Sequence, residues 1–197
     1  KLPPKLAPHQ IVIVPIIPND KDKDSVMKVV NQLNDSLSEF RVIIDDRSEV
    51  SPGFKFNEWE QKGVPLRVEV GPKDIEKNTI LVSRRDDESK NSYPMDDVQN
   101  TIKKLLDEIQ DNLYKNSENT LKENTTHVES FSELIEVLNS KKGFVSCFWK
   151  ENKEDELKIK EETSATLRCY PLENTDSEKA VNSDSENGNF AIFSKAY

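Results

Sequence analysis

The stretch Asp45–Asp74, DDRSEVSPGFKFNEWEQKGVPLRVEVGPKD, sets a turn, a short helix and a strand side by side, and its reading decides the fold. Ser51-Pro52-Gly53 has the residues of a turn, and Phe54–Lys62 follows as a short amphipathic helix stopped by Gly63. Pro65–Gly71 then alternates: Leu66, Val68 and Val70 take one face of a strand, Arg67 and Glu69 the other. That is a half-exposed strand with a polar side available for function. Arg47, Phe56, Glu60, Arg67 and Lys73 recur through the run, a mixture of side chains suited to reading unpaired bases.

Upstream, Ile11–Ile17 is a continuous apolar run bounded by Pro18-Asn19-Asp20, the pattern of a strand buried on both faces. Asp24 or Ser25 suits the cap of a helix whose apolar positions are Val26, Val29, Val30 and Leu33. Arg41–Ile44 is a second buried strand. Strand, helix and strand with short connections imply a parallel pair joined by a right-handed crossover. Lys1–Gln10 is proline-rich and extended, a residual linker that reads as a cut end. Downstream, Asn78–Arg85 is a strand that turns at Asp86-Asp87-Glu88-Ser89 and returns near Asn91–Tyr93. A long helix from about Met95 carries Val98, Ile102, Leu105, Leu106, Ile109 and Leu113 as its stripe.

The expected fold class is α/β: a mixed five-stranded sheet flanked by helices over residues 1–100, then a small α+β domain over 101–197, entered by the long helix. In that second part Phe131, Leu134, Ile135 and Leu138 mark a helix, and Gly143–Trp149 a strand. Glu154–Glu162 is an acidic helix, Ala165–Tyr170 a strand, and Phe190–Phe193 a closing strand. Asn174–Asn189 is polar and low in complexity and reads as a mobile loop.

Composition narrows the function. With 34% apolar and 33% charged residues over 197 positions, much of the chain must be surface, although its apolar residues are clustered as in folded domains. A net charge of −9 argues against a general nucleic-acid coat, whose affinity comes from neutralising phosphates. Acids and bases roughly balance between Arg41 and Arg85, so that region is the place for any RNA. No apolar run reaches membrane-spanning length, and no signal peptide is visible. Cys147 and Cys169 read as buried free thiols, which favours the cytoplasm.

A splayed base offers a flat face for stacking and a Watson–Crick edge for hydrogen bonds. Phe56 and Glu60 stand four apart on the helix and share a face. A carboxylate there accepts both N1–H and the exocyclic amine of guanine, donors that no other standard base offers together. Arg67 has a planar fork that suits the O6 and N7 acceptors of guanine. Lys73, beyond Gly71-Pro72, adds a cation. The combination predicts a guanine reader. Taken singly, the same residues also read as surface ion pairs, with Phe56 in the core. Trp59 is expected in the core, on the opposite side of the helix from the pair. Asp45, Asp46 and Arg47 end a parallel strand, where α/β sheets place ligands; helix capping and a local salt bridge are the other reading. His9 and His127 read as surface residues. No phosphate loop, metal cluster or nucleophile elbow appears, so no catalytic site is expected in this chain.

LPPKLAP, IVIVPI, the Asp45–Thr79 segment, the SRRD turn and the terminal FSKAY resemble prolyl-tRNA synthetase of the type shared by eukaryotes, archaea and some bacteria. The resemblance is strong over residues 1–115, weaker to Asn189, and firm again at the end. It implies a class II synthetase anticodon-binding fold plus the small domain of that type, with the ATP- and magnesium-using catalytic domain absent. It further implies that Phe56, Glu60, Arg67 and Lys73 contact the two guanines of proline anticodons; Asp46 and Arg47 are further candidates for tRNA binding from their place at the strand end. The carboxylate of Tyr197 is expected to approach the active site of the intact enzyme, which dimerises through its catalytic domain. Zinc is not expected: relatives hold it through four cysteines, but here Lys150, Asp155 and the 180–184 stretch occupy those positions. A stand-alone tRNA-binding module, or the matching part of a threonyl or glycyl enzyme, stays open as an alternative.

Overall fold

The structure, a computed structural model, describes residues 1–173 and 176–195. It separates into two compact units, Lys1–Asn116 and Ser117–Tyr197.

The first unit contains β1 (Ile11–Pro15), α1 (Lys23–Ser36), β2 (Val42–Ile44), α2 (Pro52–Gln61), β3 (Leu66–Val70), α3 (Pro72–Glu76), β4 (Thr79–Arg84) and β5 (Lys90–Pro94). It also holds most of α4 (Val98–Glu123). The sheet order is β2-β1-β3-β4-β5, with β1 parallel to both neighbours and β4 and β5 antiparallel. This is the mixed five-stranded sheet read from the sequence. Strand β1 is buried throughout because it separates two cores. Ile11 and Ile13 pack with Val26 and Val30 of α1 and with Ile102 and Ile109 of α4. Val12 and Val14 pack on the other face with Trp59 and Val64. Each such side chain contributes about 1.5–3 kcal/mol.

Several boundaries move. Helix α1 begins at Lys23, so Asp24 and Ser25 lie inside it and do not cap it; the Ser25 hydroxyl donates to the Asp22 carbonyl at 2.8 Å. Helix α2 begins at Pro52, and the Ser51 hydroxyl accepts from the Phe54 N–H, so the expected turn is the helix start itself. Strand β2 is only half buried because it is the edge of the sheet. The proline-rich start is no loose linker. Pro4 and Ala7 are buried, and the Arg41 guanidinium donates to the Ala7 and Pro4 carbonyls at 2.9 and 2.8 Å. The first unit extends to Asn116 where residue 100 was expected as its limit, because Ile102, Leu105, Leu106 and Ile109 belong to its core.

The second unit contains β6 (Thr125–His127), α5 (Phe131–Ser140), β7 (Phe144–Trp149), α6 (Lys153–Thr163), β8 (Ala165–Cys169), β9 (Ser177–Lys179) and β10 (Asn187–Lys195). Its sheet runs β6-β7-β10-β8, with β9 pairing on β10, around Leu134, Val145, Trp149, Ile159 and Phe193. Strand β6 escapes sequence reading because Thr125-Thr126-His127 has no apolar alternation. Exposed His127 accordingly sits on a strand edge, 3.2 Å from the Ser146 hydroxyl. The expected loop 174–189 contains β9 and the start of β10 in its described part. Asn182 pins that segment: its amide donates to the Lys150 carbonyl (2.9 Å) and to Asp155 (3.0 Å) and accepts from the Lys150 N–H (3.0 Å). Cys147 is buried, and burial pushes its thiol up to about 12; Cys169, expected to be buried, is exposed at the end of an edge strand. Tyr197 and residues 174–175 lie outside the described residues.

Gly143 holds φ +112°, and a Cβ there would meet the Asn124 carbonyl oxygen at 2.3 Å. Gly143→Ala is expected to destabilise the second unit by more than about 1 kcal/mol. That lowers its midpoint by about 4 °C or more in a thermal melt followed by circular dichroism.

Candidate nucleic-acid interface

The polar side of the sheet is built by strand parity. Leu66, Val68 and Val70 of β3 enter the larger core, so Arg67 and Glu69 must face the side covered by α2. Register then aligns Val12, Arg67, Ser83 and Lys90 in one row across β1, β3, β4 and β5.

Helix α2 is anchored over that row through Asp45, which is 3% exposed. Arg47 donates to both Asp45 oxygens at 2.8 and 2.7 Å, the Trp59 indole donates to Oδ2 at 2.8 Å, and the Lys55 ammonium donates to the Asp45 carbonyl at 3.0 Å. The hydrogen bonds from Arg47 are the main cause holding the Asp45 carboxyl down at about 2, against burial, with Trp59 and the Lys55 charge assisting. Arg47 also binds Glu58 at 2.6 Å. Trp59 is core, as expected, but not opposite Phe56: both join the cluster with Val12 and Val14.

At the exposed end of this face the guanidinium of Arg67 lies over Phe56, its Cζ 4.0 Å from the ring centroid. Its Nη1 donates to Glu60 Oε1 at 2.6 Å, Nη2 to the Ser83 hydroxyl at 3.3 Å, and Nε to Glu69 Oε1 at 3.2 Å. Lys90 donates to Glu69 Oε2 at 2.9 Å and stands 5.9 Å from the Phe56 centroid. Arg85 donates to the Glu60 carbonyl at 3.3 Å. Behind it, Arg84 grips buried Asp86 with both arms of its fork at 3.1 and 2.8 Å, and Asn112 adds a bond at 2.8 Å. The crevice between Trp59, Glu60, Arg67 and Arg85 is about 20 Å³. This part of the sheet therefore presents a surface and not a preformed hole.

The structure thus brings Phe56, Glu60 and Arg67 together. Lys73 is exposed on α3 and makes no ion pair with a described residue; Asp46 is exposed likewise. Arg47 is committed to Asp45 and Glu58. Ser83, Arg85 and Lys90 were missed. The signal for them was the hairpin: once Arg67 faces outward, the antiparallel register selects Ser83 and Lys90. Among the described residues no group of His, Cys, Asp or Glu is arranged to hold a metal ion, and no helix is long and apolar enough to cross a membrane.

The comparisons with known proteins bear on the family and the fold. The anticodon binding domain family model matches residues 10–105, and the model for the C-terminal domain of prolyl-tRNA synthetase matches residues 131–197. The first unit is therefore an anticodon-binding domain with the class II synthetase fold. A proline–tRNA ligase from Roseiflexus sp. (strain RS-1) is 42% identical over 201 aligned residues, which cover 100% of this chain and 42% of that protein. One from Alkaliphilus oremlandii is 44% identical, covering 87% of this chain and 35% of that protein. The crystal structure of prolyl-tRNA synthetase from Cryptosporidium parvum complexed with L-proline and AMP superposes with a TM-score of 0.89 at 36% identity. That alignment covers 99% of this chain and 42% of that one. The chain belongs to the prolyl-tRNA synthetase family, where it corresponds to the C-terminal part. It spans about two fifths of the length of the Roseiflexus relative.

The stability that Asp45 supplies depends on pH. Because its carboxyl is lowered from 3.8 to about 2, the contribution is complete above about pH 4 and lost as pH falls toward 2. Asp45→Asn is expected to cost roughly 2 kcal/mol at pH 7 and to flatten the loss of stability between pH 4 and 2. Urea unfolding of both proteins across that range measures it.

Proposed function

We propose that this chain reads the anticodon of proline tRNA within a longer proline–tRNA ligase, with Phe56, Glu60 and Arg67 facing an anticodon guanine. The observation that carries this reading is the unspent capacity of Arg67 and Glu60. A guanidinium has five N–H donors, and Glu60, Ser83 and Glu69 engage three of them. Two remain, as many as the O6 and N7 pair of guanine needs. Glu60 bonds Arg67 through Oε1, leaving Oε2 for donors of the Watson–Crick edge. One face of Phe56 is covered by Arg67, so the base meets the free donors of Arg67 edge-on, in the plane of the guanidinium. Lys73, off the cluster, is assigned to the flanking backbone; Arg47 is assigned to holding Asp45 and Glu58, and Asp46, a carboxylate that repels phosphate, to a donor of a flanking nucleotide.

In the longer enzyme we assign ATP, magnesium, proline and dimerisation to a catalytic part; the relatives, of which this chain covers 42% and 35%, have the length to contain one. A cytoplasmic setting is consistent with the two free thiols. We also propose that the second unit folds without zinc. Lys150 and Asp155 offer no thiolate, the 180–184 stretch offers none either, and Asn182 already joins these segments by hydrogen bonds.

The test is binding of an anticodon stem-loop with the proline anticodon, and of variants altered at each guanine, at two salt concentrations. Arg67→Ala is expected to lose about 1–3 kcal/mol of preference for guanine over the altered base. Lys73→Ala is expected to weaken all sequences alike and to reduce the salt slope by about one. Binding indifferent to the guanines sinks the assignment. For zinc, elemental analysis of the purified chain should find none, and a chelator should leave the melting midpoint unchanged; a fall in that midpoint refutes a metal-free fold.

A further inference from the structure

Glu69 is a buried carboxylate that the packing of β3 does not call for. It is 5% exposed, and its neighbours in register are Val14 on β1 and Leu81 on β4. An apolar side chain fits such a position, and a buried charge there is costly unless well paired. Its two oxygens are divided between two cations. Oε1 accepts from Arg67 Nε (3.2 Å) and lies 3.4 Å from the Ser83 hydroxyl, while Oε2 accepts from Lys90 (2.9 Å). Both cations also address one aromatic ring, Phe56, at 4.0 and 5.9 Å.

We propose that Glu69 is a positioning residue for anticodon recognition: it fixes Arg67 by its Nε so that the outer fork faces the base, and it holds Lys90 beside the same ring as a second, previously unassigned RNA contact. The proposal rests on the reading of Phe56, Glu60 and Arg67 given above. Arg67 has a flexible stem, and without an anchor at Nε its fork is free to close fully on Glu60, spending the donors that guanine needs. With Glu69 in place, rotation about the end of the side chain is blocked from behind. Lys90 is 44% exposed along its side chain, so its ammonium can reach an RNA phosphate or base edge while remaining tethered. The pair Ser83 and Lys90 faces Arg67 only through the β4–β5 hairpin, so the hairpin becomes part of the reader.

The experiment measures binding of the anticodon stem-loop and its guanine variants to the chain carrying Glu69→Gln, Arg67→Ala, both, or Lys90→Ala, with a melt on each. Glu69→Gln is expected to lower the guanine preference about tenfold, and to add nothing once Arg67 is alanine. Nuclear magnetic resonance supplies a readout that a merely structural role does not move: the Arg67 Nε–H should exchange slowly with water in the parent chain and rapidly in Glu69→Gln. Lys90→Ala, with its folding checked by the melt, should weaken binding several-fold for every anticodon and reduce the salt slope. If Arg67→Ala loses the preference while Glu69→Gln keeps it, Glu69 has no positioning role. If Lys90→Ala binds normally, the second contact is refuted. If Arg67→Ala itself keeps the preference, the anticodon assignment beneath both has failed.

Discussion

The buried carboxylate of Asp45 is the constraint on which the rest of the interface depends. A charge removed from water costs several kcal/mol unless its lone pairs are met, and here the guanidinium of Arg47 and the indole of Trp59 meet them. Trp59 and the Lys55 ammonium, which reaches the Asp45 carbonyl, sit on α2, so satisfying Asp45 locks that helix against the end of β2. The helix in turn carries Phe56 and Glu60 to the rim of the sheet. Apolar packing of Trp59 on Val12 and Val14 supplies the bulk of the attraction; the hydrogen bonds at Asp45 select one orientation from those that packing allows.

A second layer of constraint runs through the hairpin. Asp86, buried and gripped by Arg84 and Asn112, ties the β4–β5 turn to α4, and burial is outweighed there by those hydrogen bonds so that its carboxyl titrates lower than usual. The SRRD turn is thus a structural clasp: Arg84 points back into the fold, and Arg85 lies at the edge of the crevice beside Glu60. In the second unit Asn182 has an analogous role, joining its own segment to Lys150 and Asp155 by three directional hydrogen bonds.

Much of the architecture was legible because period carries it. The run IVIVP and the alternation LRVEV state which residues enter a core, and the long helix repeats its apolar stripe at helical spacing. What escaped had weak period or a remote partner. Strand β6 is three polar residues that pair only because β7 lies alongside. Cys169 looked buried in a strand-like run, yet β8 is an edge. The proline-rich start looked detached, yet Arg41, far along the chain, takes its carbonyls.

The sequence alone determined the sheet, the helix that follows Ser51, the parity that turns Arg67 and Glu69 away from the core, and the family to which those motifs point. These are local properties, set by side-chain alternation and capping within a few residues. Only the tertiary structure decided which charged residues meet. It set Arg67 on Phe56 and bound it to Glu60, Ser83 and Glu69, it drew in Lys90, and it left Lys73 outside while consuming Arg47. A charge has no periodicity of its own: its partner is whichever opposite group the register brings within about 3 Å, and register is a property of the assembled sheet.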